Sequence, residues 1–296
     1  MIKLFWNTHN QKKTISSNEK ITKQEANNYK WGLYHQKNSN IWIYEILSKI
    51  KYNSIESITN INEGDKLIIV DSNPEKKIEL YNQLNLTCSK ILLFHLGDET
   101  GNYNLSEVYK NFAYVFRTFC SNKYFNNNEV KCIPLGYKSG IVNKFISDRK
   151  YKWAFTGTPH KTSRHDLLFQ FSNIEPFFCH KTEKFDGKNI SVDEMSDILS
   201  STEFIPCPYG FFHPETYRVF EALECGCIPI VESAYDYYER VFPNNPFIKI
   251  NTWKEAKPIL EGWNKDQIKK KSEECVSWWI KQKSDLQDFI KDKIKS

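Results

Sequence analysis

The sequence predicts an α/β protein with parallel strands, arranged as two successive units. Short apolar runs such as Lys66–Val70 (KLIIV) and Ile91–Leu96 (ILLFHL) alternate with helical stretches, as in buried parallel strands joined by helices. A second series begins at Trp153, after a polar stretch at Ile141–Lys150. Because open parallel sheets bind ligands beyond the carboxyl ends of their strands, polar residues at those ends are the first candidates for a site.

The first series begins with a strand and continues as alternating strands and helices. A long polar loop is expected at Asn7–Asn28, after the first strand. Strands are predicted at Lys3–Trp6, Lys66–Val70, Ile91–Leu96, Ala113–Phe119 and Val130–Leu135, with helices at Ile41–Ile50 and Pro74–Leu84. Asp71, Asp98 and Glu99 follow strand ends in this scheme, so they are predicted to lie at the binding edge of the sheet.

The second series repeats this alternation and ends in a lysine-rich helix. Strands are predicted at Trp153–Thr156, Ile174–His180, Phe204–Pro206 and Cys227–Val231, with helices from about Ser163 and at Ser191–Ser200. The segments Phe247–Ile250 and Trp253–Trp263 follow them. Ser163 or Thr162 is expected to cap the first of these helices. We therefore predict an N-terminal domain at 1–145, a second domain at 146–270, and a closing helix at 271–296 that packs back on the first domain.

A further short helix is predicted just before the strand Cys227–Val231. Pro214 suits a first helical position, Glu215 suits the first turn, and Gly226 suits the position after the end. One apolar face, expected to lie on the sheet, is formed by Val219, Ala222 and Leu223. Arg218 and Glu221 fall together on another face, where a guanidinium and a carboxylate can receive a phosphate attached to a polyhydroxyl group.

The stretch around this helix resembles a known family. CPYG at Cys207–Gly210, followed by RVFEALECGCIPIV at Arg218–Val231, is similar to the signature of the exostosin-type glycosyltransferases. The strong similarity covers about thirty residues. It implies the GT-B fold, in which two Rossmann-like domains with parallel sheets face each other across a cleft and a C-terminal helix closes the structure. One branch of the resemblance is to xylosyltransferases that act on ribitol phosphate.

The resemblance also implies roles for particular residues on the donor side. Arg218 would contact the donor diphosphate and Glu221 the ribose hydroxyls, with a surface ion pair and a solvated helix residue as their structural alternatives. Gly157 and Arg164 match a segment near the pyrophosphate. Tyr209 and Gly210 would let the backbone approach the base or sugar, or form a plain turn.

The sequence constrains the stereochemistry of transfer and the catalytic base less than it constrains the donor-side residues. Retaining relatives carry a second Glu eight positions before the residue matching Glu221, where this chain has His213, so the resemblance favours inversion. Inversion requires a general base, and Asp98 is favoured, then Glu99, with Asp71 as a third candidate.

Two further residues of the first series could contact the acceptor or a phosphate. His95 lies close to Asp98 in the sequence, but a core histidine is the alternative for a residue inside an apolar strand. Arg117 is unusual inside an apolar run, and it either binds a phosphate or pairs with Asp98 or Glu99.

Composition restricts the other classes of function. The net charge of +5 comes from dispersed lysines, so we expect no nucleic-acid partner. The eight cysteines show no zinc-binding spacing, and free thiols are expected. No D-x-D motif is present, so neither a metal nor another cofactor is expected. The chain shows no signal peptide or membrane span, and we expect a cytoplasmic, microbial or viral protein.

The sequence therefore predicts an inverting, metal-independent glycosyltransferase. Its donor is expected to be a UDP-sugar, with UDP-xylose as one candidate, and its acceptor a hydroxyl of a glycan or polyol. The alternatives are a GDP-sugar (fucosyl-type) transferase and a non-catalytic sugar- or nucleotide-binding protein on the same fold. A Rossmann-type oxidoreductase is disfavoured because no G-x-G-x-x-G follows a strand.

Overall fold

The computed structural model describes residues 1–6, 34–183, 190–233 and 235–296. The loop predicted at Asn7–Asn28 lies outside these residues. The chain divides into two compact units: unit 1 is Met1–Leu135 with Ser284–Ser296, and unit 2 is Gly136–Lys283. The predicted limits at residues 145 and 270 stay predictions, because they concern independently folding domains rather than groups of contacting residues.

Unit 1 contains a parallel sheet flanked by helices. Its strands are β1 (Ile2–Trp6), β2 (Asn53–Ile55), β3 (Lys66–Asp71), β4 (Lys90–His95), β5 (Tyr114–Arg117) and β6 (Val130–Cys132). Its helices are α1 (Asn40–Ile46), α2 (Ile78–Thr87) and α3 (Ser106–Tyr109), with 3-10 turns at Ile58–Asn60, Pro74–Lys76 and Asn122–Tyr124 and a helical segment at 34–38. The strand order is β2-β1-β3-β4-β5-β6. The predicted strands of this series are thus confirmed, with shorter ends at β5 and β6.

Unit 2 repeats the architecture. Its strands are β7 (Tyr151–Gly157), β8 (Phe177–Lys181), β9 (Thr202–Cys207), β10 (Ile228–Glu232) and β11 (Ile248–Ile250), in the order β11-β10-β9-β7-β8. Its helices are α4 (Arg164–Gln170), α5 (Val192–Ser200), α6 (Tyr217–Glu224), α7 (Tyr237–Val241) and α8 (Trp253–Gly262). Among the described residues, the neighbouring strands of both sheets pair in parallel, as the apolar runs predict.

The last helix, α9 (Lys265–Lys295), contributes to each unit separately. In unit 2 the indole of Trp279 and the ammonium of Lys283 both donate to Glu224 at the end of α6, at 2.8 and 2.9 Å. In unit 1 the Lys66 ammonium donates to the carbonyls of Ile294 and Lys295 at 2.9 and 2.7 Å. A cation at the carboxyl end of a helix stabilises it, because it satisfies carbonyls that have no partner within the helix.

Helix α6 begins later than predicted. Its first residue is Tyr217, so Pro214 and Glu215 precede the helix instead of forming its first turn. Glu215 is buried and accepts a hydrogen bond from the Tyr237 hydroxyl at 2.7 Å, which holds this segment in a non-helical conformation. Arg218 nevertheless lies in the first turn. The predicted end is confirmed: Gly226 follows the C-cap with a left-handed φ of +70°.

One other local prediction is confirmed only in its position, and another is wrong. Ser163 occupies the N-cap position of α4 without a side-chain capping bond, because its hydroxyl accepts from the Trp253 indole at 3.0 Å instead. Cys120 and Cys132 form a disulfide, whereas free thiols were expected. Their Cα atoms are 5.5 Å apart, within the usual disulfide range, because β5 and β6 are neighbours in the sheet. The remaining six cysteines are free.

Among the helices of the described residues, none combines the length and apolar composition that a bilayer crossing requires.

Candidate functional site

In unit 2 the chain reverses its direction of travel across the sheet at β7. It passes from β7 out to β8 on one side and then returns to β9 on the other side of β7. The carboxyl ends of β7 and β9 therefore flank a topological switch point, where open α/β sheets leave a crevice for a ligand. Gly157 ends β7, and Tyr209 and Gly210 follow β9, so three predicted site residues meet at this point.

Gly157 allows two arginine side chains to approach the end of β7. Its φ is +135°, a conformation that side-chain-bearing residues rarely adopt. A Cβ at this position would lie 3.4 Å from Nη2 of Arg218 and 3.8 Å from Nη1 of Arg164. The two guanidinium groups, predicted separately from distant parts of the sequence, are thus brought together around one glycine.

Backbone carbonyls hold both arginines in place. Arg218 Nη2 donates to the carbonyl of Thr156 at 2.7 Å, and Arg164 Nη1 donates to that of Thr158 at 3.1 Å. Arg164 Nη2 also donates to the Tyr209 carbonyl at 3.2 Å and so joins the loops after β7 and β9. These carbonyls are neutral, so the hydrogen bonds to them do not themselves cancel the positive charge of the guanidinium groups.

Arg218 does not form a surface ion pair, which was the structural alternative to a role in binding the diphosphate. Among the residues that the structure describes, no carboxylate lies within 4.0 Å of its guanidinium, and Nε and Nη1 have no protein acceptor. Burial lowers the pKa of Arg218, while the nearby Glu221 and Cys207 raise it. A half-buried guanidinium with spare donors, in the first turn of a helix, is suited to bind a phosphate.

Glu221 lies one turn further along α6, and its surroundings shift the pKa of its carboxyl in opposite directions. Burial raises the pKa of the Glu221 carboxyl, whereas the charges of Arg218 and Lys138 and the backbone N–H of Lys138 oppose this rise. The net effect is a raised pKa, and the oxygens of this carboxyl can accept hydrogen bonds from hydroxyl groups.

The loop after β9 forms a tight turn that is tied to its neighbours. Gly210 N–H donates to the carbonyl of His213 at 3.0 Å, and Tyr209 N–H donates to Glu232 Oε2 at 3.2 Å. Burial, followed by Glu232 and Tyr235, raises the pKa of Tyr209 to about 12. Tyr209 and Gly210 thus form a turn, which was the structural alternative for them. The same turn borders the arginine pair through the bond from Arg164 to the Tyr209 carbonyl.

In unit 1, Asp98 and Arg117 form a buried pair. Arg117 Nη2 lies 3.3 Å from Asp98 Oδ2, and the two side chains are 0% and 1% exposed. Arg117 also donates to the Tyr109 hydroxyl at 3.2 Å and to the Phe119 carbonyl at 3.1 Å, and its guanidinium lies 4.4 Å from the centre of the Tyr124 ring. These internal contacts correspond to the structural alternative for Arg117.

Asp98 has three features that distinguish it from an ordinary turn residue. Its φ is +60°, a strained value for a residue with a side chain. Its Oδ1 is buried and has no hydrogen-bond partner among the described residues. Burial raises the pKa of Asp98, although Arg117 opposes this. Glu99, the second candidate base, is half-buried on the same loop.

The other candidates in unit 1 are parts of the core. His95 is buried, and its Nδ1 lies 2.7 Å from the Tyr109 hydroxyl. Burial, followed by the charge of Arg117, lowers the pKa of His95. Asp71 is fully buried and accepts two hydrogen bonds from Lys77, each at 2.7 Å, as well as others from Tyr81 and the Asn73 backbone. Asp71 is therefore occupied by structural contacts.

Sequence reasoning missed three residues that border these groups: Lys138, Glu232 and Tyr109. Glu232 carried a weak signal, since it ends the strand after the family-like helix. Lys138 and Tyr109 carried none, because only the tertiary fold brings them to Glu221 and Arg117. The described residues also contain no group of three or more His, Cys, Asp or Glu side chains placed to hold a metal ion.

Comparisons with solved structures agree with this architecture. A crystal structure of an α1,3-fucosyltransferase matches with a TM-score of 0.52 and 11% identity, covering 100% of this chain and 90% of that chain. Anabaena HepE (Alr3699), solved in complex with UDP and glucose, matches with a TM-score of 0.50 and 10% identity, covering 99% and 98%. At such identities the likeness shows the fold alone, which is of the GT-B type.

Sequence comparisons identify the family. Ribitol-5-phosphate xylosyltransferase 1 of Danio rerio is 26% identical over 237 residues, which cover 68% of this chain and 54% of that protein. The chain therefore spans about half the length of this curated relative. The model of the family described as RXYLT1 C-terminal domain matches residues 138–296, which include every donor-side candidate named above. The chain belongs to the RXYLT1 C-terminal domain family.

Proposed function

We propose that the protein is an inverting glycosyltransferase that uses a nucleoside diphosphate sugar as its donor. The observation that carries this proposal is the arrangement of Arg164 and Arg218 around Gly157 at the switch point of unit 2. Two cations held by neutral carbonyls, at a position where a Cβ would crowd them, form a site for a dianionic group such as a diphosphate.

The remaining parts of the donor have matching groups nearby. The carboxylate of Glu221 would accept hydrogen bonds from the two ribose hydroxyls, as acidic residues do in dinucleotide-binding folds. The turn at Tyr209 and Gly210 brings backbone to the same edge of the sheet and would border the base or the sugar. Since arginines already supply positive charge at the diphosphate, the departing nucleotide would be stabilised without a metal ion.

Transfer requires a group that takes a proton from the acceptor. Asp98 is our proposed base, because its raised pKa, buried orphan oxygen and strained backbone are properties of catalytic carboxyls. The acceptor oxygen would attack the anomeric carbon as its proton passes to Asp98. The bond from that carbon to the diphosphate would break on the opposite face, so the configuration inverts.

The relatives suggest which substrates to test first. The Danio rerio protein is named for xylosyl transfer to ribitol 5-phosphate, and the HepE structure contains UDP and glucose. We therefore propose a UDP-sugar, with UDP-xylose tested first, and a polyol phosphate or glycan hydroxyl as the acceptor. A GDP-sugar is the second candidate, since another of the structural matches is a fucosyltransferase.

The experiment is a thermal-shift titration of the wild type with UDP, GDP, CMP and NAD, with and without EDTA. A ligand that binds only the folded protein raises the melting temperature by mass action. We expect a shift with UDP that EDTA does not change and that Arg218→Ala removes. Arg240→Ala, which replaces an exposed arginine of the same unit, is the control and should keep the shift. A shift that depends on the metal would contradict metal independence.

A transfer assay then separates an enzyme from a binding protein. UDP-xylose, UDP-glucose and GDP-fucose would be incubated with ribitol 5-phosphate or a glycan mixture, and release of the nucleotide would be measured. Release that depends on the acceptor supports the transferase. Nucleotide binding without release from any donor would instead support the non-catalytic alternative.

A further inference from the structure

Glu232 is a carboxylate at the binding edge of unit 2 to which the proposed reaction assigns no role. It is the last residue of β10, which pairs with β9 so that Val231 lies opposite Cys207. Because parallel strands end at the same edge of a sheet, Glu232 lies beside the turn that follows β9. That turn also contacts Arg164, so Glu232 and the arginine pair border the same loop.

The geometry limits how far Glu232 lies from the arginine pair. Glu232 Oε2 accepts from the Tyr209 N–H at 3.2 Å, and Arg164 Nη2 donates to the Tyr209 carbonyl at 3.2 Å. Both groups contact the same residue, and one residue spans about 3.8 Å, so the carboxylate and the guanidinium are at most about 10 Å apart. One sugar unit attached to a phosphate at the arginines can cover such a distance.

The charge of Glu232 has no compensating cation. Among the described residues, no Lys or Arg nitrogen lies within 4.0 Å of this half-buried carboxylate, and Tyr209 N–H is its one protein donor. Oε1 can therefore accept further hydrogen bonds. A partly buried carboxylate requires donors, and sugar hydroxyls supply them, whereas a second carboxylate would be repelled.

We propose that Glu232 selects the donor sugar: its carboxylate accepts hydrogen bonds from hydroxyls of a neutral sugar and rejects sugars that carry a carboxylate. The inference rests on the proposed function, because it takes the arginine pair as the diphosphate site. It adds a residue and a class of donor to that function. Neutral pentoses and hexoses are favoured over uronic acids, and Tyr209 holds the selecting carboxylate in position.

The test compares nucleotide affinities by calorimetric titration. Wild type, Glu232→Gln and Glu239→Gln would each be titrated with UDP, UDP-xylose, UDP-glucose and UDP-glucuronate. Glutamine keeps an acceptor for Tyr209 N–H but removes the charge, so the turn is preserved. Glu239 lies on the next helix and is paired with Lys249, which makes it a matched control outside the site.

We expect the wild type to bind UDP-glucose at least about tenfold more tightly than UDP-glucuronate, because a hydrogen bond to a charged group and a like-charge contact are each large enough for this difference. Glu232→Gln should reduce that ratio by about tenfold and leave the affinity for UDP unchanged. Glu239→Gln should change neither quantity.

Two results would overturn the inference while leaving the donor site intact. One is an unchanged ratio in Glu232→Gln, and the other is an equal loss of affinity for UDP itself, which would place Glu232 at the nucleoside. Absence of UDP binding in the wild type would overturn the UDP-sugar assignment as well. If GDP binds instead, GDP-mannose and GDP-mannuronate form the corresponding neutral and charged pair.

Discussion

The guanidinium of Arg117 lies 3.3 Å from the carboxylate of Asp98, with both side chains excluded from solvent. Arg117 uses its other nitrogens on the Tyr109 hydroxyl and on backbone carbonyls, whereas Asp98 Oδ1 has no partner among the described residues. The nitrogens of Arg117 thus all have acceptors, whereas one oxygen of Asp98 has no hydrogen-bond partner in the described part of the chain, although Arg117 and the Tyr103 backbone both act to lower the pKa of this carboxyl. This asymmetry is why we assign Arg117 a positioning role and propose Asp98 as the reactive group.

Removing one member of this pair should destabilise the protein strongly. Arg117→Met leaves the Asp98 carboxylate buried without its cation, and such a loss costs about 3–5 kcal/mol. The double variant Arg117→Met with Asp98→Asn should recover part of that loss, because no charge is then left behind. Urea unfolding of the wild type, both single variants and the double variant measures the coupling. A cost below about 1 kcal/mol for Arg117→Met would show that solvent reaches the pair.

The two candidate bases can be separated by conservative amide substitutions. Asp98→Asn should lower kcat about 10²- to 10⁴-fold, because the acceptor proton loses its destination, while the affinity for UDP stays the same. Glu99→Gln should lower kcat less than about tenfold. Since the pKa of Asp98 is raised by burial, activity should fall with decreasing pH at a value above that of an ordinary carboxyl. The reverse order of the two variants would assign the base to Glu99.

Two glycines with similar left-handed backbones should respond differently to alanine. A Cβ on Gly226 (φ +70°) would lie 3.0 Å from Arg149 Nη2, whereas a Cβ on Gly64 (φ +79°) would have nothing within 4 Å. Gly64→Ala should cost about 1–2 kcal/mol from the backbone alone.

Gly226→Ala should cost about 1–2 kcal/mol more than Gly64→Ala. Its Cβ displaces Arg149, which donates to the Cys225 and Gly226 carbonyls at 3.1 and 2.8 Å and so caps the end of α6. Denaturant unfolding of both variants tests this difference. Equal costs would mean that Arg149 moves aside freely.

Glu75 should make stability fall as the solution becomes alkaline. Burial, followed by the charge of Asp71, raises its pKa from 4.5 to about 7, and its Oε1 has no partner among the described residues. The folded state therefore holds the proton more tightly than the unfolded state. This contribution is fully present below pH 4.5 and is lost as the pH rises to about 7.

The Glu75→Gln variant tests this pH dependence. It should be about 1–2 kcal/mol more stable than the wild type at pH 8, below the limit of about 3 kcal/mol set by the shift, because the side chain is partly exposed. The two proteins should be equally stable at pH 4. Glu79→Gln, an exposed position in the first turn of the following helix α2, is the control for a general effect of charge. A stability gain that is the same at both pH values would contradict the raised pKa.

Much of the fold could be predicted because its signals are local. Continuous apolar runs such as Ile91–Leu96 identify buried parallel strands without further information, and Gly226 marks the end of α6. The start of α6 could not be predicted from such signals. Pro214 and Glu215 favour a helix start by local preference, but the buried bond from Tyr237 to Glu215 overrides that preference. Short elements with little apolar pattern, such as Asn53–Ile55, were missed for the same lack of signal.

The features of the candidate site divide in the same way, into those that local sequence signals predict and those that depend on tertiary contacts. The sequence by itself determined the α/β class, the family-like stretch around α6, and the choice of Gly157, Arg164, Arg218 and Glu221 as donor-side candidates. Those inferences rest on residue types and spacings within single elements, which the sequence states directly. Only the tertiary structure decided that both arginines surround Gly157, that Arg117 pairs with Asp98, and that Glu232 borders the Tyr209 turn. These contacts join residues that are distant in the chain, so they depend on strand order and packing, which no local pattern specifies.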